Sequence, residues 1–154
     1  MIKIVKSKEL PSLLGYQAEP TEWFEVTQDQ INKFADTTLD HQFIHVDPAK
    51  AAETPFGGTI AHGFLTLSMI SHFSQSFSVV AEDAVMGLNY GFDKVRFLTP
   101  VKVNSRIRAH AEVTEVTQKS PGQFLIRYNI SIEIEGEDTP ALIADWLGLL
   151  VVPV

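Results

Sequence analysis

The chain contains no cysteine, which removes disulfides, thiolate nucleophiles and thiolate metal ligands and leaves the redox compartment unread. Basic residues are scarce as well: twelve Lys and Arg stand against nineteen Asp and Glu, a formal net charge of −7. Nucleic-acid binding rests on neutralising phosphates, so an acidic chain is not suited to it. A small anionic ligand held by a local field remains compatible with that charge. No apolar run approaches the roughly 20 residues that span a bilayer. The longest, Leu147 to Val154, reads as a buried terminal strand. The start, Met1-Ile2-Lys3-Ile4-Val5-Lys6, puts a lysine inside a short apolar stretch and has no small-residue cleavage site. A cytoplasmic protein without a membrane partner is therefore expected. Repeats, low-complexity segments and linkers are also missing, which makes residues 1–154 a single expected domain.

What is present suits a globular fold. An apolar fraction of 45% with 20% charged residues fills a core without staples. Glu22–Val26 is a short strand candidate. Thr27 then reads as an N-cap with Gln30 as its capping-box partner, opening a helix that carries Ile31, Phe34 and Ala35 on one side and frays near Asp36–Thr38. Asp47-Pro48 starts another short helix, and Thr54-Pro55-Phe56-Gly57-Gly58 ends it. The longest helical pattern runs from Ala61 to Phe77, with Leu65, Met69, Phe73 and Phe77 at every fourth position and Ser68, Ser71, Gln75 and Ser78 as a narrower polar edge. Beyond it the period changes to two, over Val85–Phe97, Val101–Val116, Gln123–Ile134 and Ala141–Val152. The third alternates most clearly, with Phe124, Ile126, Tyr128, Ile130, Ile132 and Ile134 on one face. A broadly apolar helix followed by an antiparallel run predicts an α+β fold whose sheet wraps the helix. It speaks against the alternating β and α units of a Rossmann enzyme.

Asp40 and His45 are the residues of greatest chemical interest. Five positions apart, they diverge on a regular helix or strand and converge only across an irregular segment. If they converge, they form a carboxyl/imidazole pair able to move protons near neutral pH. Taken singly, Asp40 reads as a turn former and His45, between Ile44 and Val46, as a half-buried structural histidine. Gly63 opens the long helix eighteen residues after His45. A free amide there, approachable because glycine lacks a side chain, can donate to an oxygen that develops negative charge. His62 is expected to orient the start of that helix rather than to act as a catalyst. His41 is expected to face away from His45, and His72 and His110 to stand alone. The histidine spacings fit no compact ligand motif, so no metal is expected. Gly57-Gly58 lacks the flanking residues of a phosphate loop. Lys94, Arg96, Arg106 and Arg108 could meet phosphates or simply occupy exposed strand faces, and Glu133, Glu135, Glu137 and Asp138 read as a solvated strand end.

The segment from Phe34 to Thr66 resembles the hydratase signature of the MaoC-like dehydratases, the (R)-specific enoyl-CoA hydratases. That pattern is an Asp, then Asn and Pro, then His, with His-Gly opening a helix downstream. Asp40, His45, Asp47-Pro48, Ala51 and His62-Gly63 match it in spacing, while Gln42 and Phe43 stand where Asn and Pro are usual. That variation, with Ile44–Pro48 and the run Asn89–Phe97, gives the chain its likeness to the nodulation-protein-N branch, and Pro100-Val101 followed by Asn104-Ser105 matches a turn of the family. The resemblance implies a hot-dog fold, an antiparallel sheet around a long helix, and a homodimer joined edge to edge. It implies reversible hydration of a trans-2-enoyl-CoA to the (R)-3-hydroxyacyl-CoA, with no cofactor beyond the coenzyme A of the substrate. Asp40 and His45 would hold and activate the water, and the Gly63 N–H would polarise the thioester carbonyl. Ser71 falls where the family places a polar residue near the pocket. Two rivals share the scaffold: a thioesterase, disfavoured because Gly63–Val80 carries no Asp or Glu, and a non-catalytic acyl-thioester-binding protein.

Overall fold

A computed structural model describes residues 2–154. In chain order the elements are β1 (Lys3–Val5), a 3-10 helix (Ser7–Leu13), β2 (Phe24–Glu25), α1 (Gln28–Thr38), α2 (Phe43–Val46), α3 (Pro48–Ala52), α4 (Gly63–Ser68), α5 (Ile70–Phe77), β3 (Val79–Ala81), β4 (Met86–Phe97), β5 (Arg106–Ser120), β6 (Gln123–Ile134) and β7 (Leu142–Val151). Five strands form one antiparallel sheet in the order β2-β5-β6-β7-β4. β1 and β3 make a small parallel pair beside it. The expected α+β plan is present.

Burial follows the two-residue period. All six alternating apolar residues of β6, Phe124 to Ile134, are buried, as are Ile107, Ala109, Ala111 and Val113 of β5. Register shifts at Val113/Glu115 and Gln118/Ser120 in β5 are bulges of the kind that bend a sheet, here around the helix. Against this concave face lie Leu65, Met69, Ile70, Phe73 and Phe77 of α4 and α5, all buried. Phe77 meets the rings of Tyr128 and Trp146 edge-on, at 5.7 and 6.1 Å between centroids. The Tyr128 hydroxyl accepts from the Val79 N–H at 3.1 Å, tying the end of the helix to the sheet. Burial pushes the Tyr128 phenol up to about 12.

Several boundaries differ from the sequence reading. The long helix begins at Gly63 rather than Ala61 and is interrupted at Met69, although Met69 keeps a right-handed helical backbone. Bonds from the Met69 N–H to Leu65 and from the Phe73 N–H to Met69 carry the ladder across the break. Residues 101–105 are not strand. Asn104 adopts a left-handed φ of 66° in a turn closed by the Ser105 N–H on the Lys102 carbonyl, so β5 starts at Arg106. α1 is helical through Thr38 and stops sharply at Leu39, whose φ of 63° is left-handed. Only half of the expected capping box forms. Thr27 accepts from the Gln30 N–H, but the Gln30 amide turns to the Met69 sulfur at 3.3 Å. The strand expected at Glu22–Val26 shrinks to β2, and β7 ends before the exposed Val154.

Phe77 fills the space between the helix and two aromatic residues of the sheet. Phe77→Ala is expected to destabilise the fold by about 3–5 kcal/mol, read as a lower urea midpoint at unchanged slope.

Candidate active site

The irregular segment required of Asp40 and His45 follows α1. Leu39 reverses the chain, and the Asp40 side chain then accepts from the Gln42 N–H at 3.3 Å, a local Asx turn. Gln42 stays extended and caps α2, a single helical turn that holds His45. Phe43 takes the first helical position, where an N–H needs no intrahelical acceptor. The turn therefore forms without the proline usual in the hydratase signature. Asp47 accepts from the Lys50 N–H at 3.1 Å and starts α3 as expected.

His45 is buried and fixed from three sides. Its Nδ1 lies 2.7 Å from the Ile60 carbonyl. The Ile60 N–H returns to the Ile44 carbonyl at 3.0 Å, so the two segments are clamped. Gln28 of α1 donates to the His45 carbonyl at 2.8 Å and accepts from the buried Thr59 hydroxyl. A carbonyl can only accept, so Nδ1 must carry the proton and Nε2 keeps its lone pair. Burial pushes the imidazole below its ordinary value and the nearby His62 adds to this, while the Ile60 bond and Asp40 act in the opposite direction.

His62 packs directly on this group. The two imidazoles stack with centroids 3.8 Å apart and planes 24° apart. Phe34 lies near the His62 ring at 5.0 Å. His62 Nε2 donates to the Asp40 carbonyl at 2.9 Å and sits 4.0 Å from its carboxylate, whereas Nδ1 is buried without a partner among the described residues. Asp40, His45 and His62 each bring one polar atom within 4.8 Å of the others. Stacked rings are poor chelators, however, because their in-plane lone pairs run side by side rather than toward one ion.

Gly63 follows His62 and opens α4, so its N–H has no intrahelical acceptor. A Cβ added there would meet the Phe97 ring at 3.1 Å. Glycine is what allows that aromatic ring to lie over the start of the helix. His45 and Gly63 share the lining of a cavity of about 260 Å³ with Ile60, Thr66, Phe97 and Val101. Ser71 is elsewhere. With Ser74, Tyr128, Trp146 and Gly148 it lines a second cavity of about 480 Å³. Eight residues along a helix is about 12 Å, which separates Ser71 from the Gly63 end.

The remaining candidates lie outside this group. His41 pairs with Asp36 at 2.8 Å, and His72 packs against Phe24 and Phe73. His110 does not stand alone, since it and Arg108 share Glu133, each at 2.6 Å. Arg106 likewise pairs with Glu135, so these arginines and glutamates neutralise one another across β5 and β6. Lys94 and Arg96 lie on β4 and do not themselves line the smaller cavity, although the neighbouring Phe97 does.

With this geometry in view, residues 10–133 match the model of the MaoC like domain. The chain belongs to the MaoC-like family. Nodulation protein N of Rhizobium leguminosarum bv. viciae is 46% identical over 143 residues, which cover 92% of this chain and 89% of the relative. The 3-hydroxyacyl-thioester dehydratase Z of Mycobacterium tuberculosis (strain ATCC 25618 / H37Rv) is 39% identical over 137 residues, covering 89% and 90%. Among solved structures, the (R)-hydratase from A. caviae superposes with a TM-score of 0.72 at 23% identity, covering 91% of this chain and 96% of the other. The fold is the hot-dog fold.

Sequence reading did not find Gln28, Thr59 or Ile60. Gln28 is one of several polar residues in the first turn of α1, and its two contacts cross 17 and 31 positions. No local pattern signals them.

A buried imidazole whose pKa lies below its unfolded value makes the folded state the weaker proton binder. Stability is therefore expected to be full above the ordinary value of 6.5 and to decline as pH falls through it. Urea unfolding at a series of pH values checks this, and His45→Gln should flatten the slope.

Proposed function

We propose that this protein catalyses reversible hydration of a trans-2-enoyl-CoA to the (R)-3-hydroxyacyl-CoA. One observation carries the reading: Asp40, the His45 ring and the Gly63 N–H gather at one end of the central helix, with His45 and Gly63 lining the same cavity. The 39% identity to a protein named 3-hydroxyacyl-thioester dehydratase Z supports it. Coenzyme A enters only as part of the substrate, and the chemistry needs neither metal nor redox cofactor.

The roles follow from the donors and acceptors present. A water held by Asp40 and His45 gives a proton to His45 Nε2, the atom left free by the Nδ1 bond to Ile60. The oxygen adds to the β-carbon, Asp40 acts as the acid that delivers a proton to the α-carbon, and the proton taken up by His45 passes back to Asp40 through water to close the cycle. Negative charge grows on the thioester oxygen between these events. The Gly63 N–H donates to it, an interaction whose loss costs on the order of 100-fold in rate. Dehydration retraces the same steps. The apolar rim formed by Ile60, Phe97, Leu98 and Val101 excludes bulk water from the reacting carbons.

A second reading, a non-catalytic acyl-thioester-binding protein, draws on one observation: the Asp40 side chain is 53% exposed. A thioesterase lacks the support of any acidic residue on α4 or α5.

The functional unit in this reading is a cytoplasmic homodimer. β4 is an edge strand twelve residues long, exposing Met86, Leu88, Tyr90 and Phe92. An apolar edge of that length invites pairing, and a second copy of the same strand closes it with two-fold symmetry.

Purified protein mixed with crotonyl-CoA and longer enoyl-CoAs is expected to consume the conjugated thioester absorbance for at least one chain length. Asp40→Asn and His45→Gln should each lose about 100-fold or more while staying folded by circular dichroism. Full turnover by either variant rules out the assigned roles. Saturable binding without turnover selects the second reading, and chiral analysis of the product tests the (R) outcome. Sedimentation should give twice the 17.1 kDa chain mass, with Phe92→Asp shifting the protein toward monomer.

A further inference from the structure

Three features of His62 serve neither the general packing of the core nor the helix start alone. Only 3% of the residue is exposed, and its Nδ1 is buried without a partner among the described residues. A purely structural buried histidine would be expected to satisfy both nitrogens. Its other nitrogen reaches the backbone of Asp40, 22 positions away, rather than any group of its own helix. Its ring lies flat on the His45 ring at 3.8 Å, and the next residue in the chain is Gly63. One side chain thus touches the Asp40 loop and His45, and adjoins the amide donor.

We propose that His62 is a positioning residue for the reaction, holding the His45 ring by face-to-face stacking and the Asp40 loop by its Nε2–H bond to the Asp40 carbonyl. This role rests on the hydration reading for its kinetic consequence but not for its structural one. The stack leaves the His45 ring one orientation, with Nδ1 on Ile60. Asp40 follows the left-handed Leu39 with its carboxylate on the Gln42 N–H, and the tether to its carbonyl fixes the loop that carries this turn. A second imidazole face-on also opposes protonation of His45, which keeps Nε2 available as a base. The charged and titratable groups bearing on His45 are His62 and, from the loop between α1 and α2, Asp40. Phe34 from α1 and Thr66 from α4 contribute no charge.

The test uses the full-length chain with His62→Phe, which keeps a ring but loses the tether and the second imidazole, and His62→Gln, which keeps a donor but loses the stack. The His45 ring is followed by NMR titration, and hydration of an enoyl-CoA that the wild type accepts is followed across pH. In His62→Phe the His45 midpoint and the acid limb of kcat/KM should both rise. In the same variant kcat should fall about tenfold or more with KM little changed. His62→Gln should show the raised midpoint with a smaller loss of kcat. Folded variants with a wild-type His45 titration and kcat, even if less stable, overturn the proposal. If His62→Phe loses its near-UV circular dichroism, His62→Gln carries both readouts. Should the wild type hydrate no enoyl-CoA, the hydration reading fails. The titration then still decides whether His62 governs His45.

Discussion

The bond from the His45 ring to the Ile60 carbonyl, 2.7 Å long and answered by the Ile60 N–H on Ile44, joins the short α2 turn to the segment that leads into the central helix. α2 is one turn of four residues, far below the length at which a helix is stable by itself. The stretch from Thr54 to His62 has no regular structure of its own apart from the single bridge at Ile60. Clamped together, they become a rigid corner. The bond also fixes which nitrogen of His45 is protonated and, two and three residues on, delivers His62 and Gly63 to the same place. Gln28 reinforces the corner from α1, linking the His45 carbonyl to the Thr59 hydroxyl.

The corner in turn leans on the core. α4 and α5 are anchored by Leu65, Phe73 and Phe77 against the concave sheet, and Tyr128 secures their far end through Val79. Because the near end is then fixed as well, the Gly63 N–H at the helix start is held at a constant position. In the proposed reaction a donor fixed in this way needs no reorientation as charge develops. The polar parts of the site are few, and hydrogen bonds from Ile60, Gln28, Gln42 and His62 hold them.

Gln42 and Phe43 illustrate how a local signature can vary without loss of geometry. Proline at position 43 would preset the helical φ. Phe43 reaches it because the His45 and Asp47 N–H groups bond back to Gln42 and Phe43. The turn is specified by backbone hydrogen bonds as well as by residue type. The family relation to nodulation protein N and to dehydratase Z is therefore compatible with this departure.

Much of the fold was legible from the chain alone. The two-residue period of β6 and the apolar stripe from Leu65 to Phe77 are local patterns, and local patterns survive into the structure. The boundary at Lys102–Ser105 was not legible, because it rests on a left-handed Asn104 bonded to the distant Val26. At the site, sequence spacing established that Asp40 and His45 could meet only across an irregular segment, and supplied Gly63 as a third group. It could not place His62, whose importance lies in a stack and a bond that span 17 and 22 positions. Nor could it assign Ser71, which the family resemblance set near the pocket and which lines another cavity. Residue type and period belong to the chain. Which side chains share a cavity, and which nitrogen of an imidazole is free, depend on contacts between distant segments and are decided only when the core closes.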